Sequence, residues 1–179
     1  MTANQETLRL TPRQREGRAI NAVAELLRRT LSVPNIYLEP PAALIAADVL
    51  AVDRAGAGDL HAVETKLFDK KLIPGPRTRL LEIIRSAHRM LMSMPAHFRY
   101  LAISIENFEA LHEELSNLGL YARDGIGRIG MITITEKGTD SPIAELALAP
   151  ERFRVDPAKL KAIETRLLAK SRPDIEVRI

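Results

Sequence analysis

The sequence predicts an α/β fold: a single domain with a central mixed β-sheet flanked by helices. Three observations carry that expectation. Apolar residues recur at helical spacing in four stretches, after Pro12, over about 77–94, over 107–118 and over about 157–170. Between them lie short runs rich in Val, Ile, Leu and Ala that read as strands. Apolar residues make up 46% of the 179 residues, which suits one packed core and argues against disorder.

The elements follow in order. Thr11 reads as a helix N-cap, Pro12 as the first helical residue and Gln14 as the partner that closes a capping box. Ile20, Val23, Leu27 and Leu31 then share one helical face, and Pro34 ends the helix. A short strand is expected over 36–39, before Pro40 and Pro41. Strands over 44–53 and 60–67 flank a turn at 55–58. Residues 69–76, DKKLIPGP, form a basic loop. The next helix buries Leu80, Ile84, Ala87, Leu91 and Met94, and a strand over 99–105 follows. The helix over 107–118 stops at Gly119. Late strands are expected at 120–123 and 129–135, and residues 137–154 are irregular. Asp156 and Pro157 open a last helix to about Lys170, and 175–179 reads as a short strand. No linker, repeat or low-complexity tract divides the chain.

Composition removes several functions. The chain has no cysteine, which excludes disulfides, thiolate metal sites and cysteine nucleophiles. The N-terminal stretch is polar, unlike a signal peptide, and no apolar run approaches the ~20 residues of a membrane span. A cytoplasmic protein with no membrane partner is expected. A net charge of +3 is compatible with an anionic partner.

The chemistry concentrates in residues 46–67. Side chains alternate along a strand, so Glu64 and Lys66 project from one face, roughly 6–7 Å apart. A hairpin would carry Asp48 close to Glu64. Two carboxylates and an ammonium at a sheet rim can hold a hard divalent cation and a water beside a phosphate. An exposed Glu–Lys pair on a strand is the plainer alternative, worth little to stability. Asp69-Lys70-Lys71 repeats the spacing inside a Pro/Gly-bounded loop, where no strand register aligns it. Asp53 competes with Asp48, but lies five residues on and faces the other way in a regular strand.

Asp48, a gap of fifteen residues, then Glu64-Thr65-Lys66 resembles the signature of the PD-(D/E)xK nuclease superfamily, which has the restriction-endonuclease-like fold. The resemblance implies an αβββαβ core over about 11–135, with 136–179 as a C-terminal extension carrying a helix and short strand. Ala47 stands where the proline that names the motif would be. Members typically cleave DNA or RNA with magnesium, so the resemblance implies a nuclease, here most simply a DNA endonuclease. Magnesium, or manganese, would be held by Asp48 and Glu64, with the Thr65 carbonyl as a further oxygen. Lys66 would orient or deprotonate the water, or stabilise developing charge. Many relatives also use a glutamate of the first helix. Glu25 is the candidate, although Arg28 and Arg29 at three and four residues on could simply pair with it. Glu16 is the lesser choice.

Lys70, Lys71, Arg77 and Arg79 form a basic cluster just after the signature, placed to contact a nucleic-acid backbone. The superfamily also holds members that no longer cleave, so a nucleic-acid-binding or assembly module is the second expectation. A homodimer is compatible with two-fold DNA sites. The string Gly125-Ile-Gly127-Arg-Ile-Gly130 matches GxGxxG, but a strand follows it where a dinucleotide site needs a helix. A hairpin turn at these glycines is expected instead.

Overall fold

A computed structural model of the chain describes residues 10–31, 35–40, 45–53, 58–67, 78–117, 126–136 and 141–170. These form one open, mixed α/β sheet with four helices. The helices are α1 (Pro12–Leu31), α2 (Thr78–Ser93), α3 (Ile105–Asn117) and α4 (Pro157–Lys170). The strands are β1 (Asn35–Leu38), β2 (Val49–Val52), β3 (Leu60–Lys66), β4 (Phe98–Ser104), β5 (Gly130–Thr135) and β6 (Ile143–Leu148), hydrogen-bonded in that order.

The capping box at the start of α1 is present. Thr11 N–H donates to Gln14 Oε1 at 2.8 Å, and Gln14 N–H donates to Thr11 Oγ1 at 3.3 Å. Asp156 caps α4 in the same spirit, its Oδ1 accepting from Ala158 N–H at 2.9 Å. Ser104 does so for α3, its Oγ accepting from Asn107 N–H at 3.3 Å.

β1, β2 and β3 run antiparallel, then β3, β4 and β5 run parallel, with α2 and α3 as the crossovers. β6 returns antiparallel on β5. Alternation along the strands separates two apolar layers. Val49, Ala51, Val63, Tyr100, Ala102, Ile132 and Ile134 face α1, where Ala19, Ile20, Val23 and Leu27 are buried. Leu50, Val52, Leu60, Ala62, Leu101 and Ile103 face the other way, onto Ile84, Ala87 and Leu91 of α2, Leu111 of α3, and Ile163 and Leu167 of α4.

Two expectations are corrected. The strand expected over 44–53 covers only Val49–Val52, because the ladder to β3 ends at Val49↔Val63. The stretch expected to be irregular, 137–154, contains the edge strand β6. β6 exposes side chains on both faces, with Ile143 54% exposed, so it carries none of the alternation that marks a half-buried strand. The expected elements at 55–57, 69–76, 120–123 and 175–179 lie outside the described residues, as does Gly119.

The far end of the sheet is closed by polar contacts. Leu60 N–H donates to His97 Nδ1 at 3.0 Å, and Arg152 grips Asp59 with Nη2 at 2.8 Å and Nε at 3.2 Å. Asp53 belongs here too: its N–H donates to Asp59 O at 2.9 Å, closing the β2–β3 connection away from Asp48.

Candidate active site

The carboxyl end of β3 is the chemically loaded end of the sheet. Leu60, Ala62, Glu64 and Lys66 alternate onto the α2 face; the first two fill the core and the last two reach its rim. Glu64 is 6% exposed, a rare burial for a carboxylate. Lys66 Nζ donates to Glu64 Oε1, so strand periodicity has paired the two, as their spacing requires.

Asp48 sits one residue before β2, where the regular ladder stops. Its N–H donates to Val63 O at 3.0 Å, and its Oδ2 accepts the Thr65 N–H at 2.6 Å. A side chain thus satisfies a β3 donor that the shortened strand leaves free. This holds Asp48 beside Glu64. Thr65 itself alternates to the other face, and its Oγ1 is buried without a hydrogen-bond partner among the described residues.

The electrostatics follow from this crowding. Burial raises the pKa of Asp48, opposed by the Thr65 N–H and the Lys66 charge, while Glu39 adds to the rise. Burial also raises that of Glu64. Lys66 opposes the rise, and the charges of Asp48 and Glu16 increase it. The Asp48 charge is thus close enough to raise the proton affinity of Glu64, a spacing that suits two carboxylates flanking one cation. They open onto a cleft of about 330 Å³ lined by Glu39, Pro40, residues 45–48, Glu64 and Met90 of α2.

The sequence-derived site residues separate clearly. Asp48, Glu64, Thr65 and Lys66 come together. Glu25 does not join them: it pairs with Arg29 at 2.8 Å and Arg28 at 3.7 Å, and the Arg29 hydrogen bond lowers its pKa. Glu16 is the α1 carboxylate whose charge reaches Glu64. The physical reason is helical: nine residues are 900° of rotation, so Glu16 and Glu25 stand on opposite sides of α1. Glu16 shares the side of Ile20, Val23 and Leu27, which was legible in the sequence. Glu39, which sequence reasoning passed over, lines the cleft. Lys70, Lys71 and Arg77 lie outside the described residues, and of Arg79 only the place of its backbone in α2 is described. Among the described residues, no three His, Asp or Glu side chains already converge as a metal site.

The other candidates have structural roles. His61 alternates away from Glu64, stacks on Phe98 at 4.7 Å between ring centroids, and lies 3.1 Å from the Tyr100 hydroxyl. Burial pushes its pKa down to about 4. Of the glycine string, Gly130 lies within β5 opposite Tyr100, and the preceding residues Ile126–Arg128 form a single 3-10 turn leading into the strand. A Cβ on Gly130 would stand 2.5 Å from the Tyr100 ring, so packing explains that glycine. β5 pairs with β4 and β6, and the hairpin expected between 121–125 and β5 lies outside the described residues.

No protein-family model matches the chain, and no curated protein matches it. Among solved structures it is similar to a protein of unknown function from Silicibacter pomeroyi. The two share 18% sequence identity over 90% of this chain and 87% of the other, with a TM-score of 0.51. At that identity the likeness is one of fold. Among the described residues, no helix is long and apolar enough to cross a membrane.

Proposed function

We propose that this chain is a metal-dependent phosphodiesterase that hydrolyses nucleic acid, DNA in the first instance, with Asp48, Glu64 and Lys66 at its centre. The observation that carries this is the meeting of Asp48 and Glu64 at one cleft, with Lys66 paired to Glu64, although the hydrogen bond that ties Asp48 to Thr65 spans seventeen positions of the chain. The order α1-β1-β2-β3-α2-β4, with an antiparallel triplet followed by a parallel strand, supports a restriction-endonuclease-like core.

The donor set fits magnesium or manganese. Asp48 and Glu64 are hard oxygen donors, and the cleft beside them is open to water. A bound ion would neutralise phosphate charge and lower the pKa of a water. The chain's own residues set the rest. The Thr65 N–H fixes the Asp48 carboxylate. Lys66 holds Glu64 and brings one positive charge to a site with an excess of carboxylates. In this reading Lys66 stabilises charge developing on the phosphate or orients the attacking water. Lys70, Lys71, Arg77 and Arg79 follow β3 in sequence and would bind backbone phosphates without base preference.

The test is nicking of supercoiled plasmid, and cleavage of branched and single-stranded DNA, with magnesium or manganese. Metal-dependent cleavage that Lys66→Ala reduces by ~10²–10⁴ supports the proposal. Metal-independent cleavage, or cleavage that survives in Lys66→Ala, overturns it. DNA binding without cleavage would move the protein to the binding or assembly module that shares this fold.

A further inference from the structure

Glu39 is the carboxylate of the cleft that this reading leaves unused. Leu38 of β1 pairs with Val49 of β2, and the next two residues stay tied, Glu39 N–H donating to Asp48 O at 2.7 Å. Asp48 in turn is tied to Val63 and Thr65 of β3. Glu39 just after β1, Asp48 just before β2 and Glu64 within β3 therefore line one cleft, together with Met90 of α2. Lys66, the ammonium whose charge reaches Asp48 and Glu64, already pairs with Glu64. Glu39 also has a φ of 44°, in the left-handed region that glycine favours and a Cβ resists.

The three carboxylates do not converge on one point. Asp48 and Glu64 crowd each other, while Glu39 stands at the exposed rim. Magnesium and manganese bound by one or two carboxylates keep several waters, and those waters need acceptors. We propose that Glu39 is a positioning residue that holds the water of a divalent cation bound at Asp48 and Glu64, without ligating the cation itself. This rests on the phosphodiesterase reading above.

The experiment is Mn²⁺ binding, followed by calorimetry and electron paramagnetic resonance, for the full chain and for Glu39→Gln, Glu39→Gly and Asp48→Asn. It is run in 1 M KCl, where a Debye length of about 3 Å removes long-range attraction. Glu39→Gln is expected to weaken Mn²⁺ affinity about 10–100-fold, the usual effect of losing such a partner, and Asp48→Asn to weaken it further. Glu39→Gly is expected to weaken affinity equally yet raise the metal-free thermal midpoint, because glycine accepts this φ; a merely structural Glu39 would lower that midpoint instead. Wild-type affinity in Glu39→Gln, with Asp48→Asn impaired, overturns this role and leaves the phosphodiesterase reading standing. Loss in Glu39→Gln as complete as in Asp48→Asn makes Glu39 a direct ligand and overturns the water role. A folded wild-type chain that binds no Mn²⁺ overturns both readings.

Discussion

Replacing Gly130 by alanine places a methyl carbon 2.5 Å from Tyr100 Cδ1, 3.0 Å from Cε1 and 3.1 Å from the Leu148 carbonyl oxygen. Carbon atoms rest at roughly 3.5–4.0 Å, so about 1 Å must be found. The ring has little room to give. Tyr100 is 2% exposed, lies between β3 and β5, and its hydroxyl meets His61. Leu148 O is backbone on the opposite side, so β5 cannot slide away freely. Overpacking of this kind costs about 1–3 kcal/mol, and disturbing the Tyr100–His61 hydrogen bond adds about 1 kcal/mol. Gly130→Ala is therefore expected to destabilise the chain by roughly 2–4 kcal/mol, a fall in thermal midpoint of roughly 5–15 °C for a domain of this size. Urea unfolding of the wild type, Gly130→Ala, Tyr100→Ala and the double variant reads this directly. With the ring removed, most of the Gly130→Ala cost should vanish, leaving a coupling of about 2 kcal/mol. A single variant within about 0.5 kcal/mol of wild type, or strictly additive costs, would refute the packing account of this glycine.

Three further outcomes follow from the geometry. Glu16→Gln is expected to weaken Mn²⁺ binding several-fold at low salt and Glu25→Gln to leave it unchanged, since only Glu16 bears on Glu64; calorimetry on both variants checks this. Asp48 and Glu64 hold protons more tightly than ordinary carboxyls, so cation affinity should be lost above the usual carboxylate range as pH falls. Their raised pKa values act oppositely on the metal-free fold: protonation relieves buried charge, so their contribution to stability is present in acid and is lost as pH rises through those values. Mn²⁺ titrations at pH 5 and pH 8 check the first, and the gap in thermal midpoint between wild type and Glu64→Gln at the same two pH values checks the second, because the histidines contribute equally to both chains. His61 works the other way. Its pKa falls from 6.5 to about 4, so stability present above 6.5 is lost as pH drops toward 4, on the order of 3 kcal/mol in all. His61→Phe should flatten that part of the stability–pH curve, and an unchanged slope would contradict the burial argument.

The parts of the site that were legible in the sequence are those set by local periodicity. Glu64 and Lys66 share a face because strand side chains alternate, and they pair in the structure. Thr11, Pro12 and Gln14 specify the start of α1 by hydrogen bonds within four residues. Even the choice between Glu16 and Glu25 was written in the 100° step of a helix, since only Glu16 lies on the apolar side. β6 escaped because Ile-Ala-Glu-Leu-Ala-Leu, exposed on both faces at the sheet edge, has no burial alternation to impose a pattern.

What the tertiary structure decided is the meeting of elements distant in the chain. The sequence could place Asp48 near Glu64 only by assuming a hairpin. The β2–β3 register, with β2 beginning only at Val49, is what turns the Asp48 carboxylate onto the Thr65 N–H. Glu39 enters the same cleft only because β1 pairs with β2 and the Glu39 N–H reaches Asp48 O. Register is fixed by which faces two packed layers can bury together, a property of the whole sheet that no local window contains.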